Sequence, residues 1–459
     1  MRTLDQILTK KDYSRKTPAS LFYKDSPLWQ RLLTIGCVVF LSVAGLGEWK
    51  VLNGMLGGLP KAITLGVIGL AMLYTLFYPD EKRLREIWKP TLLYMSLMAV
   101  LFFWSVVIWV ESFAAVSSMI RSCSKLVFQS IAILTAVALV YLFREKAIEL
   151  FTISICITNG AIMLLCIPEY GVGASIQSLV TCLVTFGDAV GYARQLEIHD
   201  LTFVFGQMIL YYAVFAPRTT RQEKRKRWLY LLLCCWFFLV GMKRSAIPAV
   251  LLFILIGLLL RKRKVSGRLY PAVGVCCILF FLVFLYCVRY GIISRLLNSF
   301  GIDMMGRDYL WSMANPYYEF SVTYLGHGFE YVDTIISQWY DAGLINQPFP
   351  FHNDILKVFV EMGFPGFLLW SGIQYVLTPL FWQRYADQQT ALLYMCELGY
   401  MTVTYLTDNT AFYFWSAMAL RLVPLAYAME RKKPPEPKVW MPDSRQEMRD
   451  RIRILMQEG

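Results

Sequence analysis

Long apolar runs separated by short basic blocks organise this chain. A helix needs about 20 apolar residues, within a range of about 17 to 25, to cross a bilayer core. On that ruler the pattern predicts twelve membrane helices, at about 32–47, 62–78, 91–110, 126–143, 148–167, 201–216, 228–242, 245–260, 270–288, 355–381, 390–407 and 411–428. The expected fold is therefore all-α, that of a polytopic integral membrane protein. It divides into a basic segment 1–31, a transmembrane helical domain 32–428 and a tail 429–459, with two long polar loops at 168–200 and 289–354. No internal repeat is present, and no polar stretch is large enough to fold around a core of its own.

Charge then orients the helices. Lysine and arginine are retained on the cytoplasmic side of membrane proteins. With the N-terminus inside, the segments 1–31, 79–90, 144–147, 217–227, 261–269, 382–389 and 429–459 hold 33 of the 45 lysines and arginines. Both termini are thus expected in the cytoplasm and both long loops outside it. The net charge of +13 is topological in this reading and implies no nucleic acid, because basic residues sit in blocks between apolar runs and do not cover one face. Lys10, Lys11, Arg15, Lys16 and Lys24 form either a contact with anionic lipid headgroups or a solvated tail. Past Pro434-Pro435-Glu436-Pro437 the C-terminal tail reads as an extension with a short helix.

Composition agrees with the pattern. Hydrophobic residues make up 57% of the chain and charged residues 17%, and the mean hydropathy is +0.48; soluble domains of this length are not so apolar. The eleven cysteines include the pairs Cys234-Cys235 and Cys276-Cys277 inside apolar runs and no Cys-x-x-Cys spacing, so they read as packing residues. Residues 1–31 are charged and lack the apolar core of a cleavable signal peptide, which leaves insertion to the first membrane helix.

All three histidines, His199, His327 and His352, fall in the predicted outer loops. A neutral imidazole there either accepts a proton from a substrate or is hydrogen-bonded in place as a structural side chain. His352 stands out by position. Asn353 and Asp354 are good N-cap residues, so His352 should sit at the rim beside the positive end of the next helix, where an anionic leaving group is favoured. The loop holds fourteen aromatics between Arg289 and Phe351, with three arginines (Arg289, Arg295 and Arg307) and no lysine. The aromatics, Trp311 among them, suit stacking on sugars or an interfacial belt. Arg307 and Arg295 suit bidentate phosphate contacts, or salt bridges to Asp303, Asp308 or Glu319.

Lys243-Arg244 lie in a short outer turn where positive charge is disfavoured, so an anionic ligand or a structural pair should need them. Arg194 is a further cation of the outer loops. Glu361, Glu397 and Arg421 are expected at similar depth, with Glu397 and Arg421 as a structural pair that Glu361 can join, or all three as a transport pathway. No Gly-rich nucleotide loop, Asp-x-Asp or His/Cys cluster of metal spacing supports a metal-dependent, sugar-nucleotide mechanism.

His352-Asn353, nine residues and then Gly363-x-x-Gly366 resemble the signature of the O-antigen ligase and polymerase superfamily, the Wzy-type repeat-unit polymerases and their ligase relatives. Lys243-Arg244-Ser245-Ala246 resembles that family's Ser/Lys-Arg step between two mid-chain helices. Gly306-Arg307-x-x-x-Trp311 resembles its outer-loop arginine motif, and Gly326-His327-Gly328 the Gly-x-Gly that follows. Glu197-x-His199-Asp200-Leu201-Thr202-Phe203 is similar to another family feature. Gly366 stands where ligases tend to carry Thr, and Lys243 where many members have Ser; both departures lean toward a polymerase.

The resemblance implies His352, Arg307 and Arg244 as catalytic residues. It leaves His199, Lys243, Arg295, His327, Asn353, Trp311 and Arg194 for substrate binding, with no metal and no cofactor. The implied reaction is glycosyl transfer at the outer face of a bacterial cytoplasmic membrane. A glycan on undecaprenyl diphosphate is the donor, and a hydroxyl of a second lipid-linked repeat unit is the acceptor. The product is a capsule, O-antigen or exopolysaccharide; a flippase and a chain-length regulator are the expected partners besides the lipid bilayer. The alternatives are ligation of finished chains and a lipid-linked oligosaccharide flippase or other secondary transporter. A flippase should have an inward-facing cationic cavity, whereas a transferase should place Arg244, Arg307 and His352 around one outward pocket.

Overall fold

The computed structural model describes residues 28–431 apart from 113, 186–188, 219, 302, 303 and 305. The basic N-terminal residues named above, the proline-rich tail and Asp303 lie outside the described residues. Among the described residues every regular element is a helix. The chain begins with α1 (Leu28–Leu46), α2 (Leu65–Phe77), α3 (Glu81–Ser112), α4 (Val116–Phe143) and α5 (Lys146–Tyr170). Then come the amphipathic α6 (Val172–Thr185), the short α7 (Gly191–Gln195) and α8 (His199–Leu210), which runs on as a π-helical turn, Tyr211–Phe215. After α9 (Arg221–Val240), α10 (Ala246–Leu260) and α11 (Leu269–Arg289), the second long loop carries α12 (Ile292–Ser299), α13 (Arg307–Met313) and α14 (Tyr331–Asp341). The chain closes with α15 (Asp354–Ser371), α16 (Thr378–Tyr385), α17 (Gln388–Thr407) and α18 (Phe414–Arg431).

Among the described residues seven helical stretches are long and apolar enough to cross a membrane: Leu28–Leu46, Leu59–Phe77, Glu81–Ser112, Val116–Phe143, Lys146–Tyr170, Leu269–Arg289 and Asp354–Tyr385. This is the architecture of a polytopic membrane protein. The other five predicted intervals are helical too, on α8, α9, α10, α17 and α18, but these are shorter or more polar. Helix starts follow local chemistry. Thr220 and Glu223 form a reciprocal capping box on α9, and Asp387 accepts the N–H of Thr390 at the start of α17. Asp200 of α8 reaches across to accept the N–H groups of Trp415 and Ser416 at 2.8 and 2.9 Å, which satisfies the first turn of α18.

The structure corrects three expectations. The helices expected at 91–110 and 126–143 are longer, because α3 runs to Ser112 and α4 starts at Val116, which puts Arg121 and Lys125 on α4. Glu397 and Arg421 do not form an ion pair. Neither Glu397 oxygen has a hydrogen-bond partner among the described residues, and Arg421 turns Nη1 to the Ala417 carbonyl at 3.4 Å. Glu361 instead accepts the N–H of Val332 at 3.1 Å and lies 3.8 Å from Lys357. Equal distance from a helix end fixes depth but leaves the rotation about the helix axis open.

The third correction concerns α15, expected to be continuous through Gly363. It breaks there, with φ 62° and ψ −173°. The loop segment Tyr324–Gly328 enters the break. Phe364 N–H donates to the Tyr324 carbonyl at 2.9 Å, while His327 and Gly328 N–H donate to the Glu361 carbonyl at 3.0 and 2.8 Å. Trp104 Nε1 donates to the Met362 carbonyl at 2.8 Å and the Leu325 carbonyl at 3.1 Å. The backbone groups freed by the break are thus satisfied within protein, the condition under which irregular backbone is tolerated at membrane depth. A Cβ on Gly363 would stand 2.2 Å from the Tyr324 carbonyl oxygen, and one on Gly326 (φ 93°) 2.4 Å from that of Glu361. Gly326-His327-Gly328 and Gly363-x-x-Gly366, read as separate motifs, are two sides of one junction.

Candidate active site

At the start of α15 several ties converge on His352. Asn353 is fully buried and its Oδ1 accepts the Leu356 N–H at 3.0 Å, so it is the N-cap that the sequence led us to expect. His352 itself has φ 54°, a left-handed conformation that costs a non-glycine residue of order 1–3 kcal/mol. Its neighbours hold it there. The His352 N–H donates to Asn409 Oδ1 at 2.8 Å, Trp311 Nε1 donates to the Phe351 carbonyl at 3.1 Å, and Asp354 Oδ2 accepts the Ala411 N–H at 2.7 Å.

Behind the imidazole runs a line of alternating charge. His352 Nδ1 is 3.4 Å from Asp408 Oδ1, in the turn between α17 and α18. Asp408 Oδ2 is 3.8 Å from Lys243 Nζ, in the turn between α9 and α10. Lys243 is 3.0 Å from Glu197 Oε1 and 3.5 Å from His199 Nε2, at the start of α8. Burial pushes the Asp408 carboxyl up, but His352, Lys243 and His199 outweigh it and hold it well below the usual carboxylate range. Burial, and next the Lys243 ammonium, push His199 down to about 4, so that ring is neutral at physiological pH. An ionised carboxylate at Nδ1 favours the tautomer with the proton on that nitrogen and leaves Nε2 as a proton acceptor.

His352 lines a cavity of about 380 Å3 together with Arg307, Tyr309, Leu310, Leu344, Ile345, Asn346 and Phe349. Gly306 (φ 76°) delivers Arg307 to that cavity. The Arg307 side chain has no partner among the described residues; neither Asp308 nor Glu319 pairs with it. A half-buried guanidinium beside an imidazole can take up an anion while the imidazole takes up a proton.

The remaining candidates are distributed as follows. Lys243 and His199 join His352 through Asp408, and Lys243 thereby has structural partners for its charge. Arg244 is exposed on the same turn and does not line the cavity. Arg295 is exposed on α12 and donates to the Tyr290 carbonyl at 3.3 Å. Arg194 is exposed on α7, and its carbonyl accepts from Lys50. Trp311 and Asn353 hold the His352 segment. The His327 ring donates to the Tyr317 carbonyl at 2.9 Å and stacks on Tyr331 at 4.2 Å, and burial pushes its pKa down.

Sequence reasoning passed over Asp408 and Asn409. The signal for them was the polar turn Thr407-Asp408-Asn409-Thr410 between the last two helices. The cavity at the opposite end of the bundle is about 160 Å3, and its charged lining is Glu145, Glu149, Glu223 and Glu430 with Lys146, Lys226 and Arg227, so it is not cationic.

Residues 229–371 match the family model described as O-antigen ligase. The match takes in Lys243, Arg307, the Gly326–Gly363 junction and His352, and it supports the O-antigen ligase and polymerase superfamily for this chain. No curated protein matches it.

Proposed function

We propose that this protein, whose residues 229–371 carry the O-antigen ligase match, transfers a glycan from undecaprenyl diphosphate to a hydroxyl of a second lipid-linked repeat unit. The observation that carries the reading is one cavity lined by both His352 and Arg307, with Asp408 behind the imidazole. The acceptor oxygen attacks the anomeric carbon as its proton passes to His352 Nε2. The bond from that carbon to the diphosphate breaks, and undecaprenyl diphosphate leaves with the electron pair. Arg307 neutralises the departing charge in place of a metal ion, and the N-terminus of α15 adds its partial positive charge. The site lies at the end of the bundle away from the basic blocks, which under the positive-inside rule is the outer face of a bacterial cytoplasmic membrane. Lipid tails enter sideways between helices.

Two observations bear on the alternatives. The O-antigen ligase match favours ligation of finished chains as the second reading, in which the acceptor carries no diphosphate. The mixed charge of the cavity at the opposite end does not match the cationic entry expected of a flippase. The test is full-length protein reconstituted in vesicles with lipid-linked repeat units and EDTA, with products read as a glycan ladder. A ladder from the unaltered protein is the expected result. Equal ladders from His352→Ala and Arg307→Ala proteins would overturn the assigned roles, and addition of finished chains only to an acceptor without diphosphate would replace polymerisation by ligation.

A further inference from the structure

A second cavity, of about 520 Å3, lies across the Pro348–Pro350 segment from the one that holds His352. Phe349 lines both, so this short segment is a wall between them. The mechanism above does not use the second cavity, and its chemistry is different. Asp333, Ser337 and Asn409 offer hydrogen-bonding groups, while Phe349, Phe412 and Tyr413 offer ring faces.

Its cations are largely spent. Lys357 lies 3.0 Å from both Glu330 and Asp333, and Lys125 lies 3.0 Å from Glu330 and 3.6 Å from Asp333. Of the basic side chains in the lining, only that of Arg121, exposed on α4, has no partner among the described residues. A diphosphate here would gain one cation and face the Asp333 carboxylate. A neutral polyhydroxyl ligand fares better, because its hydroxyls donate to a fixed carboxylate in charge-assisted bonds and its C–H faces pack on aromatic rings. Asn409 joins the two cavities, lining this one while its Oδ1 accepts the backbone N–H of His352.

We propose that this cavity is a saccharide subsite. It seats the glycan of the acceptor, which reaches over Phe349 to His352, and leaves the Arg307 cavity to the donor's diphosphate. The assignment rests on the transferase reading. Ser337, half-buried on α14 and outside the catalytic machinery, offers a way to fill the cavity.

The experiment uses the full-length protein in vesicles and measures KM separately for lipid-linked donor and acceptor. Ser337→Trp is expected to raise the acceptor KM about tenfold or more with the donor KM unchanged, the signature of lost binding on one side only. Soluble fragments, made by partial acid hydrolysis of the polymer the unaltered protein produces, should bind that protein and not the variant. If Ser337→Trp does not fold, Arg121→Trp at the exposed mouth is read in the same way. Equal changes in both KM values, or none, overturn the subsite. So does binding of inorganic diphosphate that Arg121→Ala abolishes while the fragments bind both proteins alike. An unaltered protein that makes no polymer fails at the transferase reading instead, and is thereby distinguished.

Discussion

His327 and His352 belong to the same loop region and sit in similar company, glycines and aromatics, yet their rings are in opposite situations. The His327 ring is spent: Nε2 donates to the Tyr317 carbonyl, one face covers Tyr331, and the backbone on either side fills the break in α15. The His352 ring is held from behind by Asp408 at 3.4 Å, and it borders a cavity that also holds Arg307, which has no partner among the described residues. What separates a catalytic candidate from an architectural one is therefore which polar atom the framework leaves unused. The largest expected effect follows. Replacing His352 by Ala should lower transfer about 10²- to 10⁴-fold, the usual worth of a general base, with an unchanged melting temperature, as measured on reconstituted protein with lipid-linked repeat units. A variant within a few-fold of normal would put the base elsewhere.

The opposite side of the comparison is tested by stability. At Gly363 an added Cβ meets the Tyr324 carbonyl oxygen and the Leu325 carbonyl carbon at 2.2 Å, and φ 62° disfavours any side chain. Gly363→Ala should therefore cost about 3 kcal/mol or more, in the range of mutations that disturb a special backbone position. The expected result is protein that fails to accumulate in membranes or melts far lower; accumulation at the normal level with a normal melting curve would mean that the junction yields easily.

Asp408 gives a smaller and more selective effect. Asp408→Asn keeps the shape but removes the charge that orients the imidazole, so transfer should fall by about 10- to 100-fold, as for other groups that act through a neighbour. Because Asp408 is a positioning residue, the optimum pH of the reaction should move as well, which loss of packing alone would not cause. His327→Gln can preserve the bond to the Tyr317 carbonyl and lose only the stacking on Tyr331, a contact worth about 0.5–1.5 kcal/mol. A small drop in melting temperature with activity within about threefold is expected; a loss approaching that of His352→Ala would make the two histidines equivalent after all.

Much of this was legible in the sequence, and the limits have physical causes. Apolar run length located the helices, and seven of them among the described residues meet the ruler that a bilayer imposes; the Asn353 cap followed from local backbone chemistry. The His352–Arg307 juxtaposition was anticipated only through motif resemblance, because the two residues are separated by the whole of α14. Asp408 was invisible for a different reason. A lone aspartate in a polar turn says nothing about a partner 56 positions away in the chain. The break at Gly363 was hidden because the residues around it read as a good apolar helix; what breaks it is a distant loop whose carbonyls and N–H groups compete for the same space. The expected Glu397–Arg421 pair failed because sequence gives depth along a helix more reliably than facing.

His199 extends the comparison to pH and supplies its smallest test. Its ring is tied to Lys243 and Glu197 and not to a carbonyl, and burial with the nearby ammonium pushes its pKa from 6.5 to about 4. The unfolded chain therefore binds a proton at His199 before the folded protein does. A depressed histidine of this kind contributes stability that is fully present above about pH 6.5 and is lost as pH falls from there toward 4. Because the side chain is 38% exposed, solvent screens the effect and keeps it modest. In His199→Gln that titration is gone while the size and a polar head remain. The two proteins should differ by a constant melting temperature gap above pH 7, and the gap should move in favour of the variant as pH is lowered from 6.5 to 4. Carboxylates titrate in both proteins and cancel in the difference. A gap that stays flat across that window would mean that His199 takes up its proton as readily in the folded protein as in the unfolded chain, with Asp408 and Glu197 offsetting burial and Lys243, and the charge line behind His352 would gain a positive member below about pH 6.5.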